Sequence, residues 1–269
     1  MLEWLKDEAS GVVSKWGRER IQTSIWRNPL VAVASADDPL FSRLRTVAAP
    51  DHAMPPDLLP GAQSVLAFFI PFTRRLGQEN DREPTFAARS WAEAYVLTNQ
   101  LIQAVNEQLS AAIQERGFEA AITPATHNFD EERLVSGWSH KHVGFIAGLG
   151  TFGSHHWLIT EAGCCGRLGS LVTTMPLPPT PRPDVEYCLL KAGKSCGGCI
   201  KKCRYDALFP DHFDRQACYR QCLANDAHYM DLPLVDVCGK CGCEVPCSYG
   251  IPRIAQSLVK EQGTEVYTG

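Results

Sequence analysis

An α+β fold with a cysteine-rich appendage is what this sequence predicts, on three observations. Over roughly the first 180 residues, apolar runs of strand length alternate with stretches of helical period. A proline-dense segment, PLPPTPRPDV at 176–185, then breaks the pattern and reads as an extended, stiff linker. Beyond it, ten of the twelve cysteines crowd between Cys188 and Cys247. The chain therefore divides into a core (1–182), a cysteine module (183–252) and a C-terminal tail (253–269).

The elements follow in order. Residues 2–25 have a helical period, with Leu2, Leu5, Val12, Val13, Trp16, Ile21 and Ile25 facing inward. Asn28-Pro29 ends that run, because a residue before proline avoids the α region. LVAVAS (30–35) reads as a strand, and Asp37-Asp38-Pro39 starts a short helix over 40–47. Pro50, Pro55, Pro56 and Pro60 punctuate a loop into SVLAFFIPF (64–72), a strand apolar on both faces. Residues 77–84 are polar and read as a turn. From 85 to 116 the pattern is a long helix, with Gly117 where a C′ glycine belongs. FEAAITPA (118–125) is a strand, 126–148 a second helical stretch, and HHWLIT (155–160) and RLGSLVTTM (167–175) two more strands. A short helix is expected around 253–261.

Composition excludes several classes. A hydrophobic fraction of 45% supports a sizeable core. A net charge of −4 supplies no field to draw nucleic acid or an anionic membrane. No apolar run approaches the roughly 20 residues of a membrane span. The opening MLEWLKDEAS carries acidic residues where an export signal is basic. Twelve cysteines without such a signal point to a reducing cytoplasm, where thiols serve metals or redox chemistry.

The cysteine spacing names the chemistry. The first burst reads Cys188-x7-Cys196-x2-Cys199-x3-Cys203; the second reads Cys238-x2-Cys241, with Cys247 following. The bacterial two-cluster ferredoxin run is C-x2-C-x2-C-x3-C, and its fourth cysteine crosses to the other cluster. By that rule Cys188, Cys196, Cys199 and Cys247 hold one [4Fe–4S] cluster, and Cys203, Cys218, Cys238 and Cys241 the other. Arg204 and Ser248 stand where a proline usually follows the crossing cysteine. A zinc ribbon spaces its knuckles by roughly 15–20 residues; here the gap is about twice that, and four thiols would be left over. A disulfide framework belongs to small secreted domains, which this chain does not resemble.

Other residues are candidates for a site. Gly148, Gly150 and Gly153 spell G-x-G-x-x-G, but helix precedes and strand follows, the reverse of a dinucleotide site. They read as a glycine turn, whose bare backbone lets a cofactor approach closely. Asp130 reads either as a helix N-cap or as an acid beside His127 and Asn128. Of His140 and His142, one is expected to face the core or a cofactor. His155 and His156, if in a strand, point to opposite faces. Cys164-Cys165 reads as a spare vicinal pair. Lys191, Lys194, Lys201, Lys202 and Arg204 form a basic patch: a solvated face, or a docking surface for an acidic donor.

SHKHVGFIAGLGTFGSHHWLITEAGCCGRLGSLVTT resembles the core signature of the epoxyqueuosine reductases, iron–sulfur and cobalamin enzymes of tRNA modification. NPLVAVASADDPLF, DLLPGAQSVLAFFIPF, TPATHNFD and CGKCGCEVPCSYGIP resemble a short branch labelled epoxyqueuosine reductase-like, and the likeness runs from about Asn28 to Pro252. It implies a nitroreductase-like α/β core, often dimeric and related to reductive dehalogenases, with an appended two-cluster ferredoxin-like module. A corrinoid would lie beside the nearer cluster, fed by a ferredoxin or flavodoxin, and would reduce a small substrate. The resemblance departs in two places. Leu134 stands where the tRNA enzymes carry an aspartate, and their C-terminal helical-repeat extension has no counterpart in this sequence. A relay enzyme is thus expected, with a non-catalytic electron-transfer or corrinoid-handling protein as the alternative and tRNA epoxyqueuosine reduction a third.

Overall fold

The computed structural model describes residues 2–20, 25–124 and 129–253. In chain order these form α1 (Leu2–Arg20), β1 (Leu30–Ser35), α2 (Leu40–Val47), α3 (Pro55–Leu58), β2 (Ser64–Pro71), α4 (Arg74–Arg82) and α5 (Arg89–Gln114). There follow β3 (Ala120–Ile122), β4 (Phe129–Asp130), β5 (Val135–Ser136), α6 (His140–Ile146), β6 (Gly150–Phe152), β7 (Leu158–Thr160) and β8 (Gly166–Thr173). The cysteine segment adds α7 (Gly198–Lys202) and α8 (Arg215–His228).

The fold is α+β, as expected. A four-stranded sheet in the order β1-β2-β8-β3 is antiparallel throughout. β2 lies at its centre and is buried along its whole length, which its unbroken apolar run requires. Successive side chains go to opposite faces. Leu66, Phe68 and Ile70 pack with Leu5, Ala9 and Val13 of α1 and Leu101, Ile102 and Val105 of α5. Val65, Ala67 and Phe69 pack with Phe41 and Leu44 of α2 and Val143 and Ile146 of α6. Helices thus cover both faces.

Several segments depart from expectation: the strands at 118–125 and 155–160 shrink to β3 and β7, Gly150–Phe152 form β6 instead of a turn, and two departures are larger. Residues 77–84 were expected as a turn, yet most of them continue α4. That helix is polar, but it buries Leu76 and Asn80 and carries an Arg75–Glu79 pair at 2.8 Å, so tertiary packing outweighs its weak local pattern. Residues 126–148 were expected as helix; among those described, β4 and β5 form a hairpin and only α6 is helical. The Asp130 carboxylate accepts the amides of Glu132 (3.0 Å) and Arg133 (2.8 Å), a local turn that competes with helix, and Leu134 closes it at φ +53°. Ile21, His127, Asn128 and the expected helix of the tail lie outside the described residues, save Arg253.

The proline-rich linker does not swing free. Thr180 donates its amide to Val33 O (2.8 Å) and accepts the Val33 amide at Oγ1 (3.1 Å), covering the edge of β1. The cysteine segment is clamped to α4 and the loop after it. Lys202 pairs with Asp81 (2.5 Å), and Arg204 donates to the carbonyls of Asp81, Glu83 and Pro84. Among the described residues, no helix is long and apolar enough to cross a membrane.

Candidate metal centre and adjoining cavity

Three local devices bring the first four thiols together. Glu186 accepts from Thr151 Oγ1 (2.6 Å) and from the Cys188 amide (2.9 Å), tying the loop before Cys188 to β6. Cys196 and Cys199 flank the start of α7. The C-terminal loop pairs with the turn at Gly163: Cys164 donates its amide to Cys247 O (2.9 Å) and Cys165 to Ser248 O (3.0 Å). As a result Cys188, Cys196, Cys199 and Cys247 line one small cavity of about 20 Å³. Burial pushes the Cys199 thiol up to about 11, and Cys247, Cys188 and Cys196 push it the same way.

Of the second four, Cys218 lies on α8, whose first turn is capped by Asp214 accepting the Ala217 amide at 2.9 Å. Burial raises the Cys241 thiol well above its ordinary value, and Cys238, Cys218, Cys203 and Cys199 add to the effect. Burial likewise lifts Cys238 to about 12. Thiols that raise one another in this way resist becoming neighbouring thiolates until a cation compensates them. Cys222 hydrogen-bonds Cys218, which is lowered while Cys222 is raised.

The vicinal pair was expected to be spare, and its surroundings are more specific than that. Cys164 is hydrogen-bonded to Cys247, and Cys165 to Cys243. His155, Cys164 and Cys247 have ligand atoms all within 4.8 Å of one another. Their neighbourhood comes from the Gly163 turn meeting a loop some 80 residues on, which spacing alone cannot reveal.

A cavity of about 810 Å³ opens between the β4–β5 hairpin, the start of α6, the β6–β7 turn and residues 209–222. Lys141, His142, Phe152, His156, Phe213 and Cys218 are among its walls. A second cavity of about 240 Å³, lined by Trp91, Tyr95, Trp157, Cys164 and Arg167, also touches Lys141. Desolvation and the nearby Arg215 lower the Lys141 ammonium below its ordinary value.

Several predicted residues sit elsewhere. Gly153 lines the large cavity, but Gly148 and Gly150 do not. A Cβ on Gly148 would meet Pro181 O at 2.7 Å, and one on Gly150 would collide with Ile159 O in the β6–β7 pair. These two glycines permit close backbone packing. Asp130 is held below the usual carboxylate range by the Arg133 amide and guanidinium (2.6 Å), and it does not line the cavity. It caps the turn of the β4–β5 hairpin rather than the start of a helix. His140 uses both ring nitrogens: Nε2 donates to Pro124 O (2.8 Å), and Nδ1 accepts from Ser170 Oγ (2.9 Å), which in turn accepts from Trp138 Nε1. It braces the core and leaves no nitrogen for proton transfer. His142 instead faces the cavity against Phe152 and bonds Ser139 Oγ at 2.7 Å.

Burial lowers both His140 and His142 to about 4. Both imidazoles are therefore neutral in the fold, while unfolding returns them to about 6.5. Their contribution to stability is complete above pH 6.5 and is lost as pH falls toward 4, where the unfolded chain binds the extra protons. Thermal melts should show a falling midpoint across that window, with a shallower fall in His140→Gln. Equal slopes in the two proteins would remove His140 from the account.

No protein-family model and no curated protein matches this chain. Solved structures do. An epoxyqueuosine reductase bound to an epoxyqueuosine-modified tRNA-Tyr stem loop is 18% identical, with a TM-score of 0.56 over 95% of this chain and 71% of that one. The Bacillus subtilis enzyme, with its catalytic aspartate loop swung out, is 17% identical over the same shares, at a TM-score of 0.56. A reductive dehalogenase, whose structure suggests a mechanism for B12-dependent dehalogenation, is 13% identical at a TM-score of 0.56; the match covers 87% of this chain but 31% of that one. The resemblance carried by the sequence motifs thus holds at the level of fold.

Proposed function

We propose that this chain is an iron–sulfur oxidoreductase that relays electrons through two [4Fe–4S] clusters to the large cavity. One observation supports the reading most: Cys188, Cys196, Cys199 and Cys247 line one small cavity, and Cys203, Cys218 and Cys238 all act on the buried Cys241 thiol, as the spacing-based grouping into two sets of four expects. The donor set fits the cofactor, since cubane clusters are held by four cysteine thiolates. The clusters would supply one-electron steps at low potential. In this reading residues 183–252 form the ferredoxin-like module and 1–182 a nitroreductase-like core.

The cavity adjoins both parts of the relay: Ser154 lines it and the Cys188 pocket alike, and Cys218 forms part of its wall. Its volume and its lining of Phe152, Phe213 and the Gly153 backbone suit a flat macrocycle such as cobalamin, which would supply a low-valent metal for two-electron reduction. The chain's own residues would do the rest. Lys141, lowered by desolvation and Arg215, stands at the meeting of the two cavities as a proton donor to a small substrate. A protein donor such as a flavodoxin would dock near Lys194 and Lys201; Lys202 and Arg204 of the basic patch are already engaged with α4.

Anaerobic reconstitution with iron, sulfide and cobalamin tests this directly. About eight iron and eight sulfide per chain are expected for two cubanes. One or two zinc ions in their place would overturn the reading. Cobalamin retention without turnover of any reducible substrate would favour the electron-transfer or corrinoid-handling alternative.

A further inference from the structure

The glycine motif and its following histidine have a role that the relay has not absorbed. His155 is 3% exposed, and its ring lies between Gly153, Trp157 and the Cys247 sulfur. Its tautomer is fixed by the backbone: the Trp157 amide donates to Nδ1 at 3.1 Å. A neutral ring that accepts at Nδ1 must carry its proton on Nε2. Nε2 lies 3.4 Å from Cys247 Sγ, so the N–H donates to that sulfur. The space for the ring comes from Gly153, where a Cβ would meet the imidazole at 2.5 Å. Gly153 in turn donates its amide to Trp157 O (2.9 Å), closing the turn that aims the ring.

We propose that His155 is a positioning residue that sets the reduction potential of the Cys188/Cys196/Cys199/Cys247 cluster through its hydrogen bond to Cys247, and that Gly153 exists to make room for it. The inference rests on the cluster assignment above. Reduction adds negative charge to a cluster and its sulfurs, so an N–H donor aimed at one ligand stabilises the reduced state more than the oxidised one. Burial of the ring keeps water from replacing that donor.

The test is a redox titration of the reconstituted full chain, followed by EPR, with iron counted in every sample. His155→Leu should lower the midpoint of one cluster and leave the other in place. His155→Gln, whose amide keeps a donor, should restore part of the shift. Gly153→Ala should lower the same midpoint, and should add nothing when combined with His155→Leu. Unchanged midpoints at full iron content would overturn this inference and leave the two-cluster reading standing. Loss of about four iron in His155→Leu would make the imidazole a ligand, which also overturns it. Wild-type chain without clusters would sink the relay itself, and this proposal with it.

Discussion

Cys241→Ala is expected to cut the iron of the reconstituted chain by about half, from roughly eight atoms to four, whereas Cys222→Ala leaves it unchanged. Both sulfurs lie near Cys218 and Cys238, so iron analysis of the two variants decides which completes the second group. The buried Cys241 thiol is raised by Cys238, Cys218, Cys203 and also Cys199. Cys222 lies one helical turn after Cys218 and is hydrogen-bonded to it. A fall in iron for Cys222→Ala with none for Cys241→Ala would exchange their roles.

Lys240→Met should lower the thermal midpoint by roughly 2–12 °C, from a loss of about 1–3 kcal/mol. Lys240 stands inside the Cys238-x2-Cys241 knuckle, yet its side chain leaves the sulfurs and runs inward to 1% exposure. Its ammonium donates to the carbonyls of Asn80 and Glu83, the latter at 2.8 Å. Asn80 then donates to Cys238 O (3.0 Å) and accepts the Ala88 amide (3.0 Å). Removing the ammonium strands the Asn80 carbonyl and leaves Glu83 O to Arg204 alone, while the Asn80–Cys238 bond stays in place. Desolvation lowers the Lys240 pKa, and the neighbouring Cys238 opposes that. Differential scanning calorimetry at neutral pH measures the effect; a shift under about 2 °C would show that the contact is dispensable.

The core was largely legible because its signals are local. β2 announces itself by an apolar run too long for a turn and too short for a buried helix, and α5 by its spacing and the glycine at Gly117, found at φ +81°. The motif at Gly148–Gly153 follows helix α6 as expected, but Gly150–Phe152 form strand β6 rather than a turn, and His155 and His156 lie in the turn before β7. α4 was missed because polar helices depend on what they pack against, and its partners Cys238 and Lys240 are some 160 residues away. The hairpin at Phe129–Ser136 was missed because Asp130 can cap a turn as readily as a helix. His140 was chosen over His142 because nothing in sequence reveals that Pro124 and Ser170 occupy both its nitrogens.

The sequence by itself determined the layered core, the break at the prolines and the eight thiols suited to clusters, because side-chain period and cysteine spacing act over a few residues. Only the tertiary structure decided where those thiols meet Cys164, Cys165 and His155, and which histidine faces the cavity. Those outcomes depend on the Gly163 turn docking against the Cys247 loop. A contact between segments that distant is set by how whole elements pack, and the residues on either side carry no local trace of it.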